Sequence, residues 1–321
     1  MKIRNNELVI LAVIVFFSLV TYYLVEPYAH HVLHKHVESE DFKYTDLDES
    51  THNIMSKTGN AANGKAIAVD GYACIACHSI DVIGQSTGMS PDAAAAAYGV
   101  NPPDLSNAGL IYDDKFLADL IKNPAHALKV EHKFSEGGNT HPMSAFSGMG
   151  GDIDQEIADI VAYFNSIAVS QEDLTPKMAY ENACGRCHAV RYEGWTQMGT
   201  KPSFKHKKET LAYEIKVLEY EDSLKAYMGK LPPDLSMYTR SRSEDFLRTF
   251  IENPQNHLAG TAMPRTGVTV DTADKIIEHM KDAGDTKRHE RESIAVYVMI
   301  YTLIFAIFAL LWKKQVWRDL H

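Results

Sequence analysis

The chain has 321 residues, of which 45% are hydrophobic and 23% charged, and its formal net charge is −10 at pH 7. This length allows two domains of ordinary size, and the composition excludes both a disordered chain and a polytopic membrane protein. The acidic balance disfavours a nucleic-acid partner and can steer a basic protein to the surface.

The first predicted element is an uncleaved membrane anchor. Leu8–Val25 is a charge-free stretch of 18 residues, long enough to cross a bilayer as a helix. Lys2 and Arg4 precede it, which predicts a cytoplasmic N-terminus. A cleaved signal peptide is the alternative, but no small-residue cleavage site follows the stretch. A cluster of histidines after the anchor is typical of a juxtamembrane helix end and consists of His30, His31, His34 and His36.

All four cysteines lie in two C-x-x-C-H pentapeptides, Cys74–His78 and Cys184–His188. This pattern is the attachment signature of c-type haem: the two thiols bind the haem covalently, and the adjacent histidine becomes an axial iron ligand. A zinc site would need two further ligands at matching spacing, and a thioredoxin-like site does not need the histidine. The sequence therefore predicts two haem c groups. The predicted attachment residues are Cys74, Cys77, Cys184 and Cys187, and the predicted proximal iron ligands are His78 and His188.

The region between the anchors contains an internal repeat. Pro102–Ser106 recurs as Pro232–Ser236 at an offset of 130, whereas the two cysteine motifs are offset by only 110. The second unit therefore carries an insertion of 20 residues within Trp195–Leu231. Its Lys- and Glu-rich composition predicts a solvated helix and loop.

Each unit is predicted to be a small helical domain of the cytochrome c type, and the fold class is all-α because strand-like alternation is scarce. Helices are expected over Asp114–Lys122 and Ser243–Glu252, each ended by Asn-Pro. A closing helix in the first unit begins behind Asp152 or Asp154, and one with a weaker apolar pattern in the second begins behind Thr269 or Asp271. Gln171–Pro176 is the expected linker. The predicted segments are 1–30 (anchor), 50–170 and 175–285 (the two domains) and 290–321 (anchor and basic tail).

The sixth iron ligand should come from a loop far along the chain. In the second unit Met263 lies in a Pro-containing loop before the last helix, and a thioether opposite histidine raises the potential. In the first unit Met143 occupies the matching position and is the predicted ligand, with Met149 and His141 as alternatives. A His141 ligand would give a bis-histidine haem of lower potential.

The paired prolines are predicted to pack on the haem edge, and one carbonyl of each pair to accept the Nδ1–H of the ligating histidine. Which proline does so is left open. The predicted packing residues are Pro102, Pro103, Leu105, Pro232, Pro233 and Leu235. Arg240 and Arg242, just beyond the second segment, are candidates to pair a haem propionate through a bidentate fork; the alternative is a solvated basic turn.

The last predicted element is a second membrane anchor. Ile294–Trp312 is charge-free over 19 residues and is followed by Lys313, Lys314 and Arg318. A basic, Trp-bearing flank of this kind indicates a cytoplasmic end. Both termini are therefore expected in the cytoplasm of a bacterial cell, with the haem units in the periplasm and the anchors in the inner membrane.

The second unit resembles cytochrome c1, the haem subunit of quinol–cytochrome c reductase (the cytochrome bc complex). The resemblance covers residues 179–321 and rests on the segments Cys184–Tyr192, Pro232–Ser236, Arg240–Arg242, Ala262–Pro264 and the terminal anchor. The first unit resembles a generic cytochrome c module, and a two-haem form of the c1 subunit occurs in some bacteria. The resemblance implies cytochrome b and a Rieske iron–sulfur protein as partners in a dimeric complex.

Electrons would then arrive from the Rieske cluster and leave toward a soluble cytochrome c or a terminal oxidase. The tandem arrangement suggests that the first module is the outlet. By this interpretation the chain is an electron-transfer subunit and not an enzyme by itself. Two alternatives are the two-haem subunit of a cbb3-type oxidase, which is not expected to end in a second anchor, and a membrane-bound two-haem peroxidase, which needs an open sixth site.

Overall fold

The computed structural model describes residues 5–29, 43–134 and 140–318, so the histidine cluster after the first anchor, Lys2 and Arg4 lie outside the described residues. Within this part the fold is mostly helical, in agreement with the predicted class. The helices up to the second cysteine motif are α1 (Asn5–Val20), α2 (Asp48–Met55), α3 (Ala61–Lys65), α4 (Pro91–Tyr98), α5 (Ala108–Ile111), α6 (Asp114–Lys122), α7 (Pro124–Ala127), α8 (Glu131–Phe134), α9 (Ile153–Ile167) and α10 (Pro176–Ala183). Those after it are α11 (Lys207–Met228), α12 (Tyr238–Ser241), α13 (Glu244–Glu252), α14 (Pro254–His257), α15 (Val270–Gly284) and α16 (Arg288–Trp317). A short antiparallel hairpin, β1 (Trp195–Thr196) and β2 (Gly199–Thr200), precedes α11.

The two terminal helices are long, apolar and exposed. The first apolar span runs from Leu8 to Ala29 and includes a π-helical turn at Thr21–Val25; the second is α16, of 30 residues. A helix of this length is about 45 Å long, more than the roughly 30 Å of a bilayer hydrocarbon core. Both helices are consistent with the predicted membrane anchors. The side on which each terminus lies stays a prediction.

In the first unit the helix before the cysteine motif crosses the closing helix at very short distance. Asn60 caps α3 by accepting from the amides of residues 62 and 63, and its own amide donates to Asp159 of α9 at 2.7 Å. Gly64 lies directly against the α9 backbone. A Cβ placed there would be 1.9 Å from the Asp159 carbonyl oxygen and 2.8 Å from the Cβ of Tyr163. Only glycine permits this approach without movement of a helix.

We expect Gly64→Ala to lower the free energy of unfolding by about 2–3 kcal/mol, because the overlap is with backbone, which cannot rotate away. The loss should exceed the gain of about 1 kcal/mol that alanine brings as a better helix former. Thermal unfolding of the detergent-solubilised chain, followed by helical circular dichroism, measures the change. The neighbouring exposed Lys65→Ala is the control and should stay within about 0.5 kcal/mol of wild type. Equal stability of the two variants would contradict the close crossing.

The second unit has the corresponding crossing, between α10 and α15. Here small side chains replace the glycine: Ala179, Ala273 and Ala283 are fully buried. Thr269 caps α15 by accepting from the amide of residue 272 at 3.3 Å. The closing helix of the second unit has 15 residues, as does that of the first. Its weaker apolar pattern therefore does not shorten it, because the buried alanines supply the contact.

The insertion forms a helix, as predicted, but that helix is not solvated along its whole length. The last turns of α11 bury Tyr220, Leu224 and Met228 against Ala95 of α4 and the partly buried Val100. The sequence prediction was wrong here because it followed the Lys- and Glu-rich composition, whereas Tyr220, Leu224 and Met228 recur every four residues on one face of the helix. The insertion of the second unit thus packs on the first unit.

One cluster of buried apolar residues crosses both units, so the units share part of their core. Phe116 of the first unit packs in it together with Leu247 and Ile276 of the second. The segment that follows Met263 also runs along the first unit. The amide of Asp113 donates to Gly267 O at 2.8 Å, and the amide of Thr269 donates to Ile111 O at 3.0 Å. The loop expected to ligate the second iron is therefore anchored on the first unit.

Candidate haem sites

The first cysteine motif forms a single helical turn. The His78 amide donates to Cys74 O at 3.0 Å and the Cys77 amide to the same oxygen at 3.2 Å, so two thiols and an imidazole project from one turn. The His78 Nδ1 lies 2.9 Å from Pro103 O. Because a carbonyl only accepts, Nδ1 carries the proton and the Nε2 lone pair is free for a metal.

The second motif has the same geometry. The His188 amide donates to Cys184 O at 2.9 Å, and its Nδ1 donates to Pro233 O at 2.9 Å. The predicted hydrogen bond from each histidine to a proline carbonyl is confirmed, and the structure selects the second proline of each pair. The leucine two residues after this proline is Leu105 at the first site and Leu235 at the second. Its amide donates at 2.9 Å to the carbonyl oxygen of the residue that follows the histidine.

The aspartate and serine of the two Pro-Pro-Asp-Leu-Ser segments hold the turn that follows each motif. At the first site Asp104 accepts from the amide of residue 81 and Ser106 from that of residue 82, both at 3.0 Å. At the second site Asp234 and Ser236 accept from residues 191 and 192 at 3.0 and 3.2 Å. Sequence reasoning missed this role, although the recurrence of Asp and Ser at the same offset was its signal. These hydrogen bonds therefore recur at both sites.

Cys184 is buried, Cys74 and Cys187 are half-buried and Cys77 is exposed. Burial raises the pKa of Cys74 and of Cys184 to about 12, so neither thiol is activated as the thiolate of a redox dithiol site would be. Within the described part of the chain, no three His, Cys, Asp or Glu side chains come together as a metal-ion site. The extra ligands that a zinc site requires are thus not brought to either motif in that part.

The residues at both motifs fit haem c. Two thiols stand on one turn with an oriented imidazole, and partly buried apolar side chains, Leu105 and Phe146, pack on the same core as Cys74. At the second motif Leu235 is buried in the shared core. One buried polar atom near the motifs, Arg186 Nε, has no hydrogen-bond partner and so suits an additional anionic group.

The contacts of the three candidate sixth ligands at the first site differ. His141 has both ring nitrogens engaged: Nδ1 lies 3.0 Å from Met143 O, and Nε2 lies 3.1 Å from the hydroxyl of Tyr227. Met149 is 56% exposed. Met143 is half-buried and has no competing side-chain contact among the described residues. These contacts favour Met143, whose role as ligand stays a prediction.

The Met263 loop at the second site is held from outside its own unit. Lys133 Nζ donates to Ala262 O at 3.3 Å. Arg265, which is 2% exposed, pairs with Asp46 through both carboxylate oxygens at 2.8 and 2.6 Å. The half-buried Met263 lies between these two contacts. Its backbone position is therefore fixed in advance, as an axial ligand requires.

The role of the two arginines predicted to pair a propionate stays a prediction. Arg240 and Arg242 are exposed; the first is 3.7 Å from Asp285 Oδ1, and the second lies over the ring of Phe246 at 5.4 Å. No contact among the described residues joins either of them to a cysteine motif. Among the described arginines, Arg186, inside the second motif, is the one with a buried side-chain nitrogen that makes no hydrogen bond. The signal in the sequence was its place in the pentapeptide, where the first motif has Ala76.

Comparison with known proteins gives one family and one solved structure. Residues 61–168 match the family model for cytochrome c. No curated protein matches the chain. A solved structure titled "Hyperthermophilic respiratory Complex III" is 24% identical, with a TM-score of 0.36, over 49% of this chain and 78% of that one. At that TM-score the likeness carries no functional argument. By the family match, residues 61–168 are a cytochrome c domain, the type of domain that binds haem c covalently and transfers electrons.

Proposed function

We propose that the chain is a membrane-anchored dihaem c-type cytochrome, with one haem on Cys74 and Cys77 and the other on Cys184 and Cys187. The observation that carries this proposal is the agreement of the two motifs in geometry. The Nδ1-to-carbonyl bond is 2.9 Å in both copies, and the bonds from backbone amides to the Asp and Ser side chains recur at 3.0–3.2 Å. A second motif kept only as a structural remnant would not need an oriented imidazole.

When bound, haem supplies an iron that accepts and releases one electron. The chain's own residues set the conditions for that exchange. Pro103 and Pro233 fix the ring orientation of His78 and His188 and increase their basicity. Met143 and Met263 are the residues that would hold the iron together with the histidines, and a thioether ligand would raise the potential. The buried cores beside the motifs limit access of water, which reduces the rearrangement that accompanies a change of charge.

The number of haems tests the proposal directly. The intact mass of the purified chain should show two covalent haems, and the double variant Cys184→Ala, Cys187→Ala should show one. The variant Cys74→Ala, Cys77→Ala should likewise keep only the second haem. Replacement of a serine next to the first motif, Ser79→Ala, is the control and should leave both in place. A wild-type chain with a single haem would contradict a dihaem cytochrome.

We further propose that this cytochrome is the electron-transfer subunit of a quinol–cytochrome c oxidoreductase, with cytochrome b and a Rieske protein as partners. The resemblance of residues 179–321 to cytochrome c1 and the two apolar terminal helices support this proposal. Electrons would enter at the second haem and leave by the first toward a cytochrome c or an oxidase. Purification in mild detergent should recover cytochrome b and a Rieske protein with the chain; recovery of a haem–copper oxidase alone would favour the cbb3-type alternative.

A further inference from the structure

Arg186 is a cation with a buried nitrogen and no described partner of opposite charge. Its Nε is shielded from solvent and makes no hydrogen bond. The groups that act on its guanidinium are Cys187 and the phenols of Tyr112, Tyr220 and Tyr227. None of these is a carboxylate, and none of the described carboxylates forms an ion pair with it. The side chain is thus held in a polar, uncharged setting.

A buried guanidinium without an anion is costly, because a desolvated charge needs a partner to offset the loss of water. Arginine donates through a planar fork that matches a carboxylate in two parallel hydrogen bonds. The residues at both motifs fit haem c, and each haem brings two propionate carboxylates. The guanidinium of Arg186 is therefore suited to bind a haem propionate.

The position of Arg186 indicates which haem supplies it. Arg186 belongs to the second motif, but its backbone carbonyl is tied to the first site by hydrogen bonds. Tyr220 joins the two sites at this point. Its hydroxyl donates to Arg186 O at 2.8 Å and accepts from the Asn101 amide, next to the proline pair of the first site, at 3.1 Å.

Tyr227, about two turns further along α11, makes a second contact with the first site. Its hydroxyl lies 3.1 Å from His141 Nε2, and its ring packs so tightly on Gly99 that a Cβ there would be 2.5 Å from the Tyr227 Cβ. The insertion helix therefore holds the second motif, at Arg186, against the loops of the first site.

We propose that Arg186 binds a propionate of the haem attached to Cys74 and Cys77, across the boundary between the two sites. This assignment rests on the proposed dihaem function and deepens it. Arg186 is then a positioning residue that lies in the second motif and binds the haem of the first. The hydroxyl of Tyr220 holds the Arg186 backbone in place. Its positive charge compensates the propionate and favours the reduced state of the first haem.

The test measures the two midpoint potentials in the full-length, detergent-purified chain, after the intact mass has shown both haems. The variant Cys74→Ala, Cys77→Ala keeps only the second haem and so assigns the potentials. Arg186→Gln should lower the equilibrium constant for reduction of the first haem about tenfold, which is about 59 mV for one electron. Arg186→Lys keeps the charge without the fork and should give a smaller fall. Arg240→Gln removes the same charge from an exposed position and should leave the first potential unchanged.

Two results would overturn the assignment: a first potential that does not move in Arg186→Gln with both haems attached, or a change confined to the second haem. If the glutamine variant does not accumulate, the lysine variant tests the assignment instead. In Arg186→Lys the equilibrium constant for reduction of the first haem should fall at least twofold, which lowers its potential by about 18 mV. A wild-type mass with only one haem would instead refute the proposed function, and this assignment with it. The two failures are thus distinguishable by the mass alone.

Discussion

Replacement of Arg265 by glutamine is expected to lower the free energy of unfolding by about 3 kcal/mol, because it removes one partner of a buried ion pair. Arg265 is 2% exposed. Its Nη1 donates to both oxygens of Asp46, and its Nε donates to Ala127 O at 2.8 Å. The shorter glutamine cannot reach all three acceptors. Since the Asp46 side chain is 45% exposed, water offsets part of the loss, which places the effect at the lower end for such pairs.

For a chain of this size the expected loss corresponds to a fall in Tm of roughly 6–12 °C. Arg248→Gln is the matched control. Arg248 is 41% exposed and pairs with Asp274, 54% exposed, at 3.2 Å, and exposed pairs contribute less than about 1 kcal/mol. Because Arg265 follows Met263 by two residues, its loss should also free the Met263 loop, so the sulfur-to-iron absorption band should disappear before the helices unfold. Equal changes of Tm in both variants would refute this role of Arg265.

The same pair predicts how the difference between wild type and Arg265→Gln depends on pH. Burial alone would raise the pKa of Asp46, but the charges of Arg265 and Lys129 outweigh it and hold that pKa below its ordinary value. A carboxylate whose pKa is depressed by folding stabilises the protein above its unfolded pKa and loses this effect as the pH falls through its folded pKa. The difference in unfolding free energy between wild type and Arg265→Gln should therefore have its full value at pH 7 and decrease below about pH 4.

The features that the sequence predicted well are those decided by neighbouring residues. The helix over Asp114–Lys122 was predicted with the bounds that the structure shows. Its apolar spacing and the following Asn-Pro act within a few residues, so no distant contact is needed to place it. The thiol and imidazole positions of each motif are equally local, because five consecutive residues form one turn. The hydrogen bond to a proline carbonyl was predictable because the repeat coupled the two segments.

The features that the sequence did not predict depend on contacts between distant parts of the chain. Arg265 meets Asp46 across 219 positions, and Tyr220 meets Asn101 across 119. The spacing of Tyr220, Leu224 and Met228 indicates a buried face on α11 but not that this face packs on the first unit. For the same reason the sequence did not single out Arg186, because only the fold shows that its Nε is shielded from solvent.

Exchange of Met143 for histidine is expected to lower the potential of the first haem by well over about 59 mV, the value of a tenfold change in a one-electron equilibrium. A thioether opposite histidine favours the reduced iron, whereas a second imidazole favours the oxidised iron. Met143 is half-buried in a loop whose histidine is fixed by other bonds. Spectroelectrochemical titration of the full-length chain measures the shift, and the sulfur-to-iron absorption band of that haem should vanish.

Met149→His is the matched control, since it places the same side chain six residues away at a position that is 56% exposed. It should leave both potentials unchanged. His141→Gln should also leave the potential nearly unchanged, because both ring nitrogens of His141 already have partners in Met143 and Tyr227. A fall in potential with Met149→His and none with Met143→His would assign the ligand to Met149. Loss of the first haem's low-spin spectrum in His141→Gln alone would assign it to His141, and the first haem would then be the low-potential partner of the second.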